Sequence, residues 1–318
     1  MVSKRVIVTG GAGFIGSNLV KRLNEEGIKN ILIVDSLNDE KRKNLKALCF
    51  SDFVDKNMFL SNLDKFKKEK IKTIFHQGAC SDTMETDKDY IMKNNYEYSK
   101  SLLNFCLEQD IQFIYASSAS VYGNGENGFK EEDFCKSPLN FYALSKSRFD
   151  DYVLGIKEPT IQIAGLRYFN VYGPQENHKG KMASVIYHFH NQIVSEGKIK
   201  LFEGSENFSR DFVFVDDITK INLQFFKHPE WKGIFNCGTG KARSFLDLAK
   251  IVKGLYNEKI IIETIPFPEA LEGKYQRFTQ ADLTNLRKVG YKEEFTSIEH
   301  GIPKYVRILQ DSNGYLTK

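Results

Sequence analysis

The chain has 318 residues, 45 Lys and Arg against 41 Asp and Glu for a formal net charge of +4, and 41% hydrophobic residues. That is room for one large or two modest domains, and so even a charge balance argues against a nucleic-acid partner. No apolar stretch approaches the ~18–20 residues needed to span a bilayer, and Met1 leads straight into an apolar strand, so neither membrane anchor nor signal peptide is expected.

The first expected strand, Arg5–Thr9, runs into Thr9-Gly10-Gly11-Ala12-Gly13-Phe14-Ile15-Gly16, and a helix follows over Ile15–Glu26. Strand, glycine turn and helix in this order seat a dinucleotide pyrophosphate. Gly11 permits a tight turn, Gly13 lets backbone approach the phosphates, and Gly16 lets the helix pack on the strand. A second strand, Ile31–Asp35, ends on a carboxylate placed to bind the ribose 2′-hydroxyl of NAD. Ser36 follows, however, and Lys41, Arg42 and Lys43 stand ready to neutralise the 2′-phosphate of NADP. The residues alone leave NAD and NADP both open. The Lys-rich stretch Lys65 to Lys72 reads as a solvated helix end.

Strands at Thr73–Gln77 and Gln112–Ser117, a helix at Asp89–Gln109, a helix at Phe141–Lys157 and a strand at Ile161–Tyr168 continue the alternation. Alternating strands and helices imply parallel strands with right-handed crossovers, hence an α/β doubly wound parallel sheet of Rossmann type. Beyond Gly173-Pro174 the rhythm breaks. A helix at Met182–Ser195, strands at Phe212–Val215 and Gly233–Asn236, and helices at Phe245–Leu255, Asp282–Val289 and Ile298–Leu309 surround the turn-rich Pro266-Phe267-Pro268. We expect residues 1–172 to form a dinucleotide-binding domain, with 211–240 returning to it. Residues 173–210 and 241–318 then make a smaller, mainly helical substrate-binding lobe.

The chemistry gathers around Tyr142 and Lys146, four residues apart on one helix face. A tyrosine with an ordinary pKa near 10 is ionised in about one molecule in a thousand at pH 7; lowering it by roughly three units takes about 4 kcal/mol. The Lys146 ammonium and a nicotinamide cation are the sources at hand. Ser118, at the end of its strand in Ala116-Ser117-Ser118-Ala119-Ser120, is placed to hydrogen-bond the reacting oxygen. Arg210 offers a bidentate grip on a diphosphate. Phe202 either stacks on a base or joins the lobe core. His178 reads as structural or solvent-facing. In His188-Phe189-His190 the two imidazoles point apart on a helix, so no metal is expected. The cysteines Cys49, Cys80, Cys106, Cys135 and Cys237 are scattered and lack C-x-x-C spacing, which fits reduced thiols in a cytoplasmic protein.

TGGAGFIG, the Ser-Ser-Ala element and Tyr-x-x-x-Lys together resemble the extended short-chain dehydrogenase/reductase superfamily of nucleotide-sugar epimerases and dehydratases. So do Arg167-Tyr168-Phe169-Asn170-Val171-Tyr172-Gly173-Pro174 and Arg210-Asp211-Phe212-Val213-Phe214-Val215-Asp216-Asp217. The pieces His76-Gln77-Gly78-Ala79-Cys80-Ser81, His178-Lys179-Gly180-Lys181-Met182-Ala183-Ser184, Leu201 to Phe208, Gly273 to Gln276 and Thr279 to Leu286 narrow the likeness to the ADP-heptose 6-epimerase family. The resemblance runs from the first strand nearly to residue 308.

That resemblance implies inversion at C6 of an ADP-heptose through a 6-keto sugar, with bound NADP as transient hydride acceptor. It implies Tyr142 and Lys179 as the catalytic pair, aided by Ser118, with Lys146 at the cofactor. Cofactor contacts would come from Gly10, Gly13, Phe14, Ile15, Gly16, Asp35, Ser36, Lys41, Lys56, Gln77, Gly78, Ala79, Cys80, Ser81, Asn94, Lys146, Val171 and Lys179. Substrate contacts would come from Ser118, Asn170, Lys181, His188, Phe202, Glu203, Gly204, Ser205, Arg210 and Tyr275. It further implies a ring-like homo-oligomer, a pentamer, and a product destined for the lipopolysaccharide core of bacteria.

Three departures stand out. Gln77 replaces an acidic residue, Lys181 replaces a small polar one, and the spacing from Asp35 to Asn44 differs, leaving Lys41 or Arg42 as the phosphate partner. The exocyclic carbon carries no acidic proton, so oxidation, rotation about one C–C bond and re-reduction is the reasonable route. Two proton-transfer groups serve the two positions of the oxygen, and Lys179 can be one if burial keeps it near neutral. A 4-epimerase of UDP-hexoses would share the first 175 residues but not Lys179 or Phe202–Ser205. A dehydratase would carry a carboxylate pair where Ala119 and Ser120 stand. A non-catalytic NADP-sensing module would have no need of both Tyr142 and Lys146.

Overall fold

The structure is a computed structural model and describes residues 4–256, 259–268 and 276–317. Its strands are β1 (Arg5–Thr9), β2 (Ile31–Asp35), β3 (Asp52–Asp55), β4 (Ile71–His76), β5 (Gln112–Ser118), β6 (Ile163–Tyr168), β7 (Asn170–Tyr172), β8 (Lys198–Phe202), β9 (Ser209–Phe214), β10 (Gly233–Cys237), β11 (Ala242–Ser244) and β12 (Ile261–Ile265). A seven-stranded parallel sheet runs in the order β3-β2-β1-β4-β5-β6-β10. The order reverses between β1 and β4. At that switch point a crevice opens beyond the carboxyl ends of the strands, where such sheets bind ligands.

The apolar run of β1 divides by alternation. Val6 and Val8 join one hydrophobic cluster with Leu19 and Leu23, whereas Ile7 joins another with Leu102 and Leu103. Side chains of period two therefore feed both faces. The helices Phe14–Glu25 and Val215–Lys227 cover the first face, and Tyr98–Glu108 and Phe141–Leu154 the second. Each fully buried leucine, such as Leu23 or Leu102, contributes about 1.5–3 kcal/mol by leaving water. A further cluster joins Ile186, Phe189, Ile199, Phe212, Leu248 and Ile302. It is built by the helices Val185–Glu196, Phe245–Lys253 and Ile298–Ser312 together with β8 and β9, and it meets the sheet layer at Phe14, Ile15 and Val171.

Several elements differ from the sequence reading, for identifiable reasons. Val215 starts a helix rather than ending a strand. Asp216 and Asp217 fill the first turn of that helix, where carboxylates suit the positive end of the dipole. The helix expected over Asp89–Gln109 is interrupted by a π-helical segment, Met92–Glu97. The helix expected from Met182 begins at Val185, because Ser184 caps it and Asn177–Met182 forms a 3-10 turn with a kink at Gly180. Lys72 lies within β4, its ammonium 3.8 Å from the centroid of the Phe226 ring, so the Lys65–Lys72 stretch is only partly a helix end. Among the described residues, no helix is long and apolar enough to cross a membrane.

Candidate active site

The crevice is a cavity of about 1020 Å³, roughly the upper end of single-ligand pockets. Its floor is the glycine turn. Gly10 sits at φ +67°, and a Cβ there would lie 2.6 Å from Gly78; a Cβ on Gly16 would lie 2.1 Å from the Gly10 carbonyl. The turn is therefore closed to side chains. The helix that follows has Gly13 as its N-cap, no side-chain cap and no acidic residue in its first turn. Its N-terminal N–H groups are thus left for an external anion. A dinucleotide diphosphate fits this cradle.

Asp35 is buried at the end of β2. Its carboxylate accepts from the Ala12 N–H at 3.0 Å, from the Ser36 N–H at 2.8 Å and from the Lys41 ammonium at 2.7 Å. Of the two cations left open as a phosphate partner, Lys41 lines the cavity beside Ser36, and Arg42 is not among the lining residues. Deeper in the crevice Lys56 donates to the Asn94 side chain at 2.8 Å. Asn95 grips the loop after β4 from both sides, accepting from the Cys80 N–H and donating to the Cys80 carbonyl. Gln77, Gly78, Ala79, Cys80 and Ser81 all line the cavity. The Gln77 amide turns to Asn222 at 3.2 Å and accepts from the Tyr168 hydroxyl at 3.0 Å, so its side chain is committed to the fold.

Tyr142, Lys146 and Ser118 meet in the crevice because Asn140 caps the Phe141–Leu154 helix and aims its first two turns at the end of β5. Lys146 is buried and donates to the Ala116 carbonyl at 2.7 Å; burial lowers its pKa to about 8 against the opposing pull of Asp150. The sequence points to the Lys146 ammonium and a nicotinamide cation as the charges that would depress the Tyr142 pKa. Here burial raises that pKa, the Ser118 hydroxyl opposes the rise, and the Lys146 ammonium stands 6.0 Å from the tyrosine ring centroid, occupied by a carbonyl.

Lys179, from the 3-10 turn, reaches the same cavity with its ammonium 5.1 Å from the Phe14 ring centroid. Burial lowers its pKa, and Glu176 partly offsets this. Glu176 is itself buried. It accepts from Ser184 and from the Tyr305 hydroxyl and so anchors the Lys179 turn to two helices.

Asn170, Val171, Lys181, His188, Phe202, Ser205 and Arg210 also line the cavity. Glu203 and Gly204 do not; they form the turn after β8, with the Glu203 N–H bound to the Ile265 carbonyl at 2.9 Å. Tyr275 lies outside the described residues, although its neighbour Gln276 lines the cavity and accepts at its carbonyl from Arg210. Phe202 packs edge-on against Phe267 with centroids 5.6 Å apart. His190, two residues after His188, is buried against Tyr256 at 2.5 Å.

Two further contributors stand in motifs that carry the family resemblance, but nothing in the sequence points to their roles. Of the two readings for His178, structural or solvent-facing, the solvent-facing one does not hold: it lines the cavity, held by Asn44 at 3.3 Å, and burial with the charges of Lys41 and Lys179 lowers its pKa to about 4. Asp211 accepts from Thr239, Gly240 and Ala281, pinning loops on either side of Arg210.

With this geometry in place, comparison with known proteins is decisive. Residues 6–238 match the profile of the NAD dependent epimerase/dehydratase family. The chain belongs to this family. A family member from Brachyspira hyodysenteriae (strain ATCC 49526 / WA1), an ADP-L-glycero-D-manno-heptose-6-epimerase, is 56% identical over 317 residues, covering 98% of this chain and 99% of its own. The crystal structure of the Helicobacter pylori ADP-L-glycero-D-manno-heptose-6-epimerase superposes with a TM-score of 0.82 at 29% identity over 97% of each chain. A UDP-N-acetylglucosamine 4-epimerase from Methanobrevibacter ruminantium M1 superposes with 0.84 at 27% identity, covering 96% of this chain and 98% of its own.

Proposed function

We propose that the chain inverts C6 of ADP-D-glycero-D-manno-heptose to give ADP-L-glycero-D-manno-heptose, retaining NADP(H) between turnovers. The observation that carries this reading is the meeting of Tyr142 and Lys179, from separate elements, in one cavity with the dinucleotide cradle. The likeness to the Brachyspira protein supports the substrate.

The glycine turn with Phe14 and Ile15, then Asp35, Ser36, Lys41, Lys56, residues 77–81, Asn94, Lys146 and Val171, would hold the dinucleotide, which when bound supplies a reversible two-electron acceptor for the sugar carbon. The carboxylate of Asp35 is already engaged by Ala12 and Lys41, and Lys41 brings a positive charge to that end of the cavity, which supports NADP over NAD. Tyr142 takes and returns the proton of the C6 oxygen in one of its positions, Lys179 in the other. Burial lowers the Lys179 pKa, so a neutral amine costs less than it would in water. Ser118 donates to the reacting oxygen. Arg210 grips the diphosphate and Phe202 flanks the base, with Asn170, Lys181, His188 and Ser205, which line the same cavity, completing the substrate contacts.

Purified protein given ADP-D-glycero-D-manno-heptose tests the reading, with product stereochemistry read by NMR. Unchanged substrate would overturn it. Nucleotide released on denaturation is expected to be NADP(H); recovery of NAD alone overturns the cofactor assignment. The product suits the heptose of bacterial lipopolysaccharide core. We further propose a ring-like homo-oligomer, a pentamer; light scattering near one 36.6 kDa chain at micromolar concentration would exclude it.

A further inference from the structure

β5 ends at Ser118, and the chain turns at once into a short 3-10 helix, Ala119–Tyr122. The turn folds Ser120 back onto Ser118. The Ser120 N–H donates to the Ser118 Oγ at 3.2 Å, and the Ser120 hydroxyl donates to the same oxygen at 2.9 Å. A serine hydroxyl has one proton and two lone pairs. With both lone pairs of Ser118 taken by Ser120, its single proton is left to be given away. Tyr142 is the acceptor at hand: it lines the cavity with Ser118, whose hydroxyl opposes the rise that burial imposes on the phenol. All three side chains line the cavity.

We propose that Ser120 is a positioning residue that holds Ser118 as a hydrogen-bond donor, whose one proton goes to the Tyr142 oxygen in the free site and to the substrate oxygen once that oxygen lies between them. A donor stabilises the phenolate selectively, because an anion accepts more strongly than a phenol. Without the Ser120 hydroxyl, one lone pair of Ser118 is freed, and Ser118 can rotate to accept a hydrogen bond from the phenol instead. Lys146 and Cys80 are the other titratable groups that bear on Tyr142, and neither contacts Ser120 through a hydrogen bond that the substitution removes. This inference rests on Tyr142 as a proton-transfer group, as proposed above.

The test uses the protein as purified, with whatever nucleotide it retains. Phenolate absorbance is titrated for the parent, Ser120→Ala and Ser120→Thr, each against the same protein carrying Tyr142→Phe, so that the difference isolates one tyrosine. Losing one hydrogen bond of ordinary strength is expected to raise the Tyr142 pKa in Ser120→Ala by about half a unit. Turnover at neutral pH should fall about threefold, with KM within about twofold of the parent. Ser120→Thr, which keeps the hydroxyl, should match the parent. An unmoved titration in Ser120→Ala, a downward shift, or an equal shift in both variants overturns the relay. Should the alanine variant fail to fold, Ser120→Cys supplies a weaker donor, and an unmoved titration there overturns it equally. The titration does not depend on the sugar. Absent turnover of the ADP-heptose with a titration that responds to Ser120 therefore removes the substrate assignment alone.

Discussion

Asp150 and Arg167 form an ion pair at 2.8 Å, their side chains 0% and 1% exposed, tying the helix that presents Tyr142 and Lys146 to β6. The pair is fully supplied with partners. Asp150 also accepts from the Tyr115 and Ser117 hydroxyls, each at 2.9 Å, and Arg167 donates to the Tyr122 hydroxyl at 2.9 Å. Asp150 follows Lys146 by four residues, on the same helix face, and its charge holds the lysine pKa up against burial. Breaking such a pair from one side leaves an uncompensated buried cation. Asp150→Ala is expected to cost about 3–5 kcal/mol in urea unfolding. A loss below roughly 1 kcal/mol, the range of an exposed pair, would contradict this account.

The two proposed bases separate by variant. Tyr142→Phe keeps the ring and removes the ionisable oxygen, and Lys179→Met keeps the chain length and removes the amine. Each should lower epimerisation by about 10²–10⁴-fold, with nucleotide still bound. A 6-aldehyde analogue one carbon shorter reports hydride transfer without inversion, through dismutation to acid and alcohol. Each single variant should retain the half-reaction served by the base that remains. Parental epimerisation by Lys179→Met would reduce Lys179 to a loop lysine.

Acid should unfold the protein partly through His76. This ring is 1% exposed, with Thr9 at 2.6 Å on Nδ1 and Ser99 at 2.7 Å on Nε2. The Ser99 hydroxyl donates to the Asn95 carbonyl, so Nε2 carries the proton and Nδ1 accepts, the neutral form. Burial, helped by the Lys146 charge, lowers its pKa from 6.5 to about 3. Between those values the unfolded chain binds the extra proton. Stability is therefore complete above pH 6.5 and falls by roughly 1.4 kcal/mol per pH unit as the pH drops toward 3. Urea unfolding across pH 7 to 4 should show a shallower decline for His76→Gln, an asserted difference that parallel curves would disprove.

Gly10 and Gly27 share a left-handed backbone, at φ +67° and +77°, but not a setting. An alanine at Gly27 meets nothing within 4 Å and should cost only about 1–2 kcal/mol of backbone strain. At Gly10 the same methyl lies 2.6 Å from the Gly78 backbone, so strand ends must part. Gly10→Ala is expected to purify without nucleotide and Gly27→Ala with it. Equal nucleotide content in both would refute the closed cradle.

The sheet was legible because its signals are local. Ile31 to Val34 is a run of four apolar residues, all 0% exposed, and no other element suits it. The short strands were not. β3 reads Asp-Phe-Val-Asp, and β8 and β12 owe their pairing to each other across sixty residues of sequence. The glycine turn and the Tyr142–Lys146 spacing were readable for the same local reason. His178 and Ser120 were not, since a histidine next to a lysine or a serine after an alanine carries no spacing that points anywhere. Their meaning lies in Asn44 and Ser118, to which the fold introduces them.

The π-helical turn at Met92–Glu97 behaves like one residue spliced into an otherwise ordinary helix. Within it, Asn94 serves Lys56 and Asn95 serves the Cys80 loop and Ser145; downstream, Ser99 serves His76. An α-helix advances about 100° per residue, so excising one residue would rotate everything beyond the cut by that angle. Ser99 and Leu102 would then swing off the sheet while Asp87 still fixed the start. Length polymorphism is thus forbidden here, although the segment looks like tolerant surface helix. Random single-codon deletions recovered for function should avoid residues 92–97 and accumulate instead in the exposed turn around Gly27.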